Sequence, residues 1–360
     1  MDNDGDIFED DLEILDIIDF GFPRQIYNRA NHFVNLDELS FFRRFRLTKN
    51  TTLALLELIE EDLEFPNDIN QSVSPMNQLL TCLRYYATDG HLMAIADFTG
   101  MHTSTVSRII LRVSRAIASL GQRFIKMPER DEQLQQTAQD FFVTARFPRV
   151  IGALDETHVK IISPGGEDGE IFRNRKSYFS INVQAVCNAH LQILDVVARW
   201  PGSAHDATIF ANSRLRARFE NGNFRNYILL GDSGYPLKPY LFTPLHNPQT
   251  RGQQLYNAAH IRTRNCVERL FGTWKRRFPV LAYGVRLKLD TALVVIVATA
   301  VLHNMAIDMN EEEPPPPEAI DPDELERFIA LGQIQDIPFL VDHPNPVNLR
   351  NELVHNYFAN

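Results

Sequence analysis

Cysteine is scarce in this chain. Cys82, Cys187 and Cys266 are the only three in 360 residues, odd in number and without paired spacing. That argues against a disulfide framework or a zinc cluster and for a reducing compartment. Long apolar runs are missing as well. The longest, Ala292 to Leu302, is too short to span a bilayer and reads as a buried helix with Asp290 near its start. The first 20 residues hold nine acids and no base, the wrong sign for a signal or transit peptide. No Gly-x-x-x-x-Gly-Lys loop, Gly-x-Ser-x-Gly elbow or His/Cys metal spacing occurs, so the chemistries those motifs serve lose support.

What is present is ordinary in bulk and unusual in distribution. Hydrophobic residues make up 44% and charged residues 23%, as in a globular protein, and the length suits one large domain plus a smaller one. The net charge of −10 conceals a division. Residues 1–74 carry 6 bases and 17 acids, residues 75–307 carry 28 and 17, and residues 308–360 carry 2 and 12. A basic body between acidic ends points to a polyanion-binding centre, with ends that screen it or bind other proteins.

Along the chain, residues 1–35 read as a flexible acidic tail, with acids alternating with Ile, Leu and Phe over 1–22. Residues 36–147 read as a helical domain. Two short helices precede Pro66, and a three-helix block follows over 75–120. Its second helix ends at Thr99-Gly100, and the third starts at Thr103 or Ser104 and carries Val106, Ile110, Val113 and Ile117 on one face. Short helix, glycine turn and longer helix with Arg108, Arg112 and Arg115 resemble a helix-turn-helix, although a purely structural hairpin has the same pattern.

Strands follow over residues 148–307. Val150 to Leu154 is a buried apolar run expected to end at Asp155, and His158 to Ile162 continues it. Tyr178 to Cys187 alternates, with Ser180, Asn182 and Gln184 on its polar face. Leu191 to Ala198 is a third strand, after which Asp206 heads a short helix. Tyr227 to Leu230 is a fourth, again followed by an acid, Asp232. Val267, Leu270, Phe271, Trp274 and Phe278 then mark an amphipathic helix closed by Pro279. Residues 262–288 contain eight Lys or Arg and a single acid, Glu268. Beyond Glu311 to Pro317 an acidic, proline-containing tail is expected over 308–360.

A lone Asp after a strand is usually a turn or cap residue. Two apolar strands each followed by Asp, with one acid inside a basic helix, form a pattern. Magnesium and manganese take hard oxygen ligands and leave room for water and phosphate. On this pattern Asp155, Asp206, Asp232 and Glu268 are the candidate ligands. Arg173, Arg175 and Lys176 read as a phosphate-facing or simply solvated loop, and Arg264, Lys275 and Arg276 as the phosphate-facing side of the helix.

The segments Gly152-Ala-Leu-Asp-Glu-Thr-His158, Asn174 to Gln184, Trp200-Pro-Gly-Ser-Ala-His-Asp206, Leu230-Gly-Asp-Ser-Gly-Tyr-Pro236 and Cys266-Val-Glu-Arg-Leu-Phe-Gly272 resemble the PIF/Harbinger transposases and nucleases derived from them. The resemblance covers residues 75–307 in order. It implies an α/β fold, an RNase H-like DDE nuclease domain (a mixed sheet flanked by helices), preceded by the helical, helix-turn-helix-like domain. It also implies Mg²⁺ or Mn²⁺ held by Asp155, Asp232 and Glu268, with Asp206 as fourth ligand or stabiliser. The reverse assignment, with Asp206 in the core, stays open. Glu156 departs from the family, which commonly has glycine there. Nuclear and cytoplasmic residence and a Myb-like DNA-binding nuclear protein as partner follow from the same resemblance; DNA as a partner, no membrane and a possible oligomer are expected as well. The expected activity is metal-dependent DNA cleavage. A silent DNA-binding scaffold and an RNA-directed nuclease are the competing readings.

Overall fold

The computed structural model describes residues 30–65, 72–166, 169–317, 320–334 and 344–359. The acidic segment 1–22 and Pro66 lie outside the described residues. In chain order the longer helices begin with α1 (Glu38–Phe45), α2 (Lys49–Leu63), α3 (Pro75–Tyr86), α4 (Leu92–Thr99), α5 (Thr103–Ser119) and α6 (Asp131–Ala145). Strands β1 (Val150–Lys160), β2 (Ser180–Cys187) and β3 (Ile193–Pro201) come next, then α7 (Asp206–Ala211) and α8 (Arg214–Glu220). After β4 (Ile228–Leu230) and β5 (Leu241–Phe242) come α9 (Arg251–Arg277), α10 (Leu289–Asp308), α11 (Pro322–Leu331) and α12 (Pro344–Leu353).

Contacts divide the chain into two compact units. Residues 1–124, 159–170 and 274–330 form the first, and residues 125–158, 171–273 and 331–360 the second. The linear divisions expected at 147 and 307 do not coincide with these units, because β1 and α9 each run from one into the other.

The first unit is helical. Asp37 caps α1 by accepting from the Ser40 amide at 2.8 Å, and Thr48 caps α2 by accepting from Thr51 at 3.2 Å. Gly100 ends α4 at φ 64°, in the left-handed region, and α5 follows at once. Its N-cap is His102, whose ring Nδ1 accepts from the Ser104 amide, rather than the expected Thr103 or Ser104. Val106, Ile110, Val113 and Ile117 are fully buried, and α5 packs against α3 and α10. Helix α10 is long and apolar enough, by length and composition, to cross a membrane, but 72% of its apolar window is buried inside the protein. It is longer than the apolar run predicts because its polar ends are also helical.

Residues 311–317 and 320–330 of the segment expected as a C-terminal tail belong to this unit. Buried Arg46 donates to the carbonyls of Arg276, Arg277, Pro314 and Pro315. Arg277 pairs with Glu311 at 2.9 Å, with side chains only 5% and 2% exposed. A composition-based tail boundary misses this because Glu311 is paired and buried instead of solvated.

The second unit contains a five-stranded sheet of order β3-β2-β1-β4-β5. β1 runs parallel to β4, and β4 parallel to β5, while β2 and β3 are antiparallel. Going up β1, Gly152 lies against Val186 and Cys187, Glu156 bonds Gln184 and His158 bonds Ser180. The partner numbers fall as those of β1 rise, so β2 is antiparallel to β1. Ile151, Leu154, Val186, Leu194, Phe210, Leu215, Phe219, Leu229 and Leu241 form the core on which the flanking helices rest. The sequence missed β5, a two-residue strand, and the first turns of α9, which begins eleven residues before Arg262.

Candidate active site

Parallel pairing brings the first two acids together. β1 continues through Asp155 instead of stopping there, and that residue is the strand's one part-exposed position before Lys160. Ala153 is in register with Leu230. Two residues further along are Asp155, still on β1, and Asp232, in the turn just past the end of β4, so the parallel pair brings both acids to the same end of the sheet. Asp232 is held by its own turn, Oδ1 accepting from the Gly234 amide at 2.9 Å. Gly231 before it has no room for a side chain, since a Cβ would meet the Tyr235 ring at 2.9 Å.

Helix α9 adds the third acid and a cation. Val267, Leu270, Phe271, Trp274 and Phe278 are all buried, as their spacing predicts. This packing leaves Arg264 and Glu268 one turn apart. Arg264 Nη1 donates to Asp155 Oδ2 at 2.7 Å, and Nη2 donates to Glu268 Oε1 at 2.6 Å. Exposure is 16% for the Arg264 side chain, 19% for Asp155 and 47% for Glu268. The pair that spacing alone reads as a surface contact is therefore a bridge between helix and sheet. Burial pushes the Asp155 carboxyl up to about 6; Arg264 pulls it down, and nearby Asp232 adds to the rise. Burial alone would lower Arg264, but Asp155, Glu268 and Asp232 together hold its pKa above the usual guanidinium value.

Asp206 stands apart from this bridge. It is 4% exposed and heads α7, accepting from Asn182 Nδ2 at 3.2 Å. Asn182 and Gln184 alternate on β2 and share a face. Gln184 Nε2 donates to Glu156 Oε1 at 2.8 Å and to the Tyr235 hydroxyl at 3.3 Å. Adjacent residues of a strand point to opposite faces. Asp155 accordingly faces Arg264, and Glu156 turns to the amides of β2. Burial lifts the Glu156 carboxyl well above the usual range, and Asp206, then Asp155, lift it further. Glu156 Oε2, Asn182 Oδ1 and Gln184 Oε1 are buried with no hydrogen-bond partner among the described residues. Sequence reasoning placed Ser180, Asn182 and Gln184 on a polar face, but all three are buried. The available signal was the use of amides and a hydroxyl, with no charge, on that face.

The predicted phosphate-binding residues separate into groups. Arg108 and Arg115 are exposed on α5. Arg112 instead donates to the carbonyls of Asp62 and Glu64 and lies 4.1 Å from the Phe65 ring centroid, capping the end of α2. Arg173, Arg175 and Lys176 are exposed. Arg173 lies over Phe179, Arg175 bonds His205 at 2.9 Å, and Lys176 donates to the carbonyls of Leu331 and Gln333. Lys275 is 1% exposed, which removes it from the surface. It lies beside Trp274 at the buried end of α9. Arg276 is paired with Glu313 at 2.9 Å and Glu326 at 3.0 Å, so its charge is already met.

Three carboxylates around a part-buried cation form a donor set of hard oxygens, the type that Mg²⁺ and Mn²⁺ select. The guanidinium shows that the position attracts positive charge, so the residues fit such an ion. Among the described residues, no group of three or more His, Cys, Asp or Glu is gathered closely enough to hold a metal as it stands. The acids are spread around Arg264.

Residues 154–304, which include every one of these acids, match the DDE superfamily endonuclease family. The protein named Putative nuclease HARBI1 from Homo sapiens is 32% identical over 257 residues, covering 71% of this chain and 73% of its own. The chain belongs to the HARBI1 family of DDE endonucleases. The Mus musculus HARBI1 protein is 32% identical over 272 residues, 74% of this chain and 78% of its own. Protein ALP1-like of Arabidopsis thaliana is 27% identical over 315 residues, 81% and 75% of the two chains. No solved structure matches. The mixed five-stranded sheet with flanking helices is that of an α/β DDE nuclease domain, and HARBI1 relatives share most of its length.

Proposed function

We propose that this protein is a divalent-metal-dependent DNA endonuclease on an RNase H-like fold, derived from a Harbinger-type transposase. The observation that carries the reading is the convergence of Asp155, Asp232 and Glu268, from a strand, the end of its parallel neighbour and a helix, around one part-buried cation, Arg264. Sheet order and strand directions support the RNase H-like assignment. Asp155, Asp232 and Glu268 would hold Mg²⁺ or Mn²⁺. Such an ion supplies an activated water and charge stabilisation for the leaving oxygen of a phosphodiester. Asp155 and Asp232 are positioned by strand register and turn, which limits how far they must move to close on an ion. Asp206 supports the site from its bond to the Asn182 amide of β2 and is not one of the core ligands. Exposed Arg108, Arg115, Arg173 and Arg175 contact backbone phosphate, with affinity that falls as salt rises. A Myb-like DNA-binding protein as partner and residence in nucleus and cytoplasm belong to the same proposal.

A second reading, a silent DNA-binding scaffold, draws on one observation: two of the acids already bond Arg264. Nicking of supercoiled plasmid separates the two. The nuclease reading expects nicking by wild type with Mg²⁺ or Mn²⁺, none with chelator, and a loss of roughly 10³-fold or more in Asp232→Asn. Folded protein that binds DNA and never nicks it, with its nuclear partner present, establishes the scaffold instead.

A further inference from the structure

Arg264 sits where the proposed reading needs a metal. Its guanidinium has no acceptor and stays charged, and its fork takes one carboxylate on each side. The two partners come from different elements, β1 and α9, and the distances of 2.7 and 2.6 Å are those of charge-assisted bonds. Asp232 lies close enough to strengthen the hold on Arg264 electrostatically. An i,i+4 pair accounts only for the Glu268 contact, because Asp155 is 109 residues away in sequence. Oxygens bonded to a guanidinium at such distances are occupied on the side from which they would ligate an ion, and two cations placed between the same carboxylates repel.

We propose that Arg264 is a placeholder cation that spaces Asp155 and Glu268 in the metal-free protein and gives way when a divalent ion binds. This rests on the nuclease reading and deepens it. Arg264 is then a positioning residue. It keeps three acids from repelling one another and opening the helix-sheet junction, and its departure allows them to close on the ion. The released guanidinium remains on α9, at the edge of the site, free to meet a phosphate. Such a latch lowers apparent metal affinity by the fraction of molecules in which it is open. A purely structural bridge behaves oppositely, since its loss loosens the ligands and weakens binding.

The test is calcium binding by titration calorimetry, with calcium chosen so that no turnover is needed. The proteins are full-length wild type, Arg264→Gln and Arg264→Lys, each verified as folded by circular dichroism. Arg264→Gln is expected to bind Ca²⁺ about tenfold or more tightly than wild type. Arg264→Lys, which keeps the charge but loses the fork, should fall between them. Without metal, Arg264→Gln should melt below wild type, and saturating Ca²⁺ should narrow the gap. Equal or weaker binding by Arg264→Gln overturns the latch and leaves the nuclease reading intact. No binding by any of the three folded proteins contradicts the metal-dependent reading, and the latch with it.

Discussion

At the scale of the residue, burial acts on two groups in opposite senses. His260 is fully buried, with Nε2 donating to the Phe242 carbonyl at 3.0 Å and Nδ1 without a hydrogen-bond partner among the described residues. Burial lowers its pKa to about 4 from 6.5. Between those values the unfolded chain binds a proton that the folded one refuses, so stability is lost as pH falls from 6.5 to 4. A shift of this size is worth about 3 kcal/mol. Asp155 has the reverse sign. Its folded pKa, about 6 against 3.8, means the folded protein holds a proton that the unfolded chain has shed. Its contribution is full at low pH and is lost as pH rises through about 6. Melting temperatures from pH 4 to 7 should therefore show a shallower acid loss than wild type in His260→Gln, and a steeper one in Asp155→Asn. If both variants run parallel to wild type, neither group titrates as its surroundings dictate.

Elements show which parts of the site were legible in the sequence. The buried stripe of α9 and its capping proline were readable because helical period and Pro279 agree. The Asp155–Asp232 pairing was half readable. Each strand and its acid could be found, but the parallel register that aligns them is set by side chains far apart in the chain. Glu156 could be seen only as a departure from the family. That it faces Gln184, while Asp155 faces Arg264, follows from strand alternation once β1 is known to run unbroken through both. The sequence suggested a break after Leu154, and the structure has none. Close strand approach is also hidden in sequence, and Gly152 depends on it. A Cβ there would lie 2.6 Å from Val186 Cγ1 and 2.8 Å from Leu229 Cδ2, on the strands to either side. Gly152→Ala should destabilise by about 1–3 kcal/mol, read as a lower urea midpoint at unchanged slope. An unchanged midpoint would mean that the sheet spreads without cost.

At the scale of the whole molecule, the charge division along the chain is real, but its meaning changes. The basic body does carry exposed arginines, yet some of its cations are already matched by the acidic end, as in Arg277–Glu311 and Arg276–Glu313. Composition separates charges by position, whereas folding pairs them across more than thirty residues. The central claim concerns the three acids and where they hold an ion. Crystals soaked in Mn²⁺ and measured at the manganese absorption edge test it directly. The account predicts an anomalous peak among Asp155, Asp232 and Glu268, with the Arg264 guanidinium displaced from Asp155. A peak elsewhere, or no peak at saturating Mn²⁺ in crystals where those side chains are accessible, would contradict it.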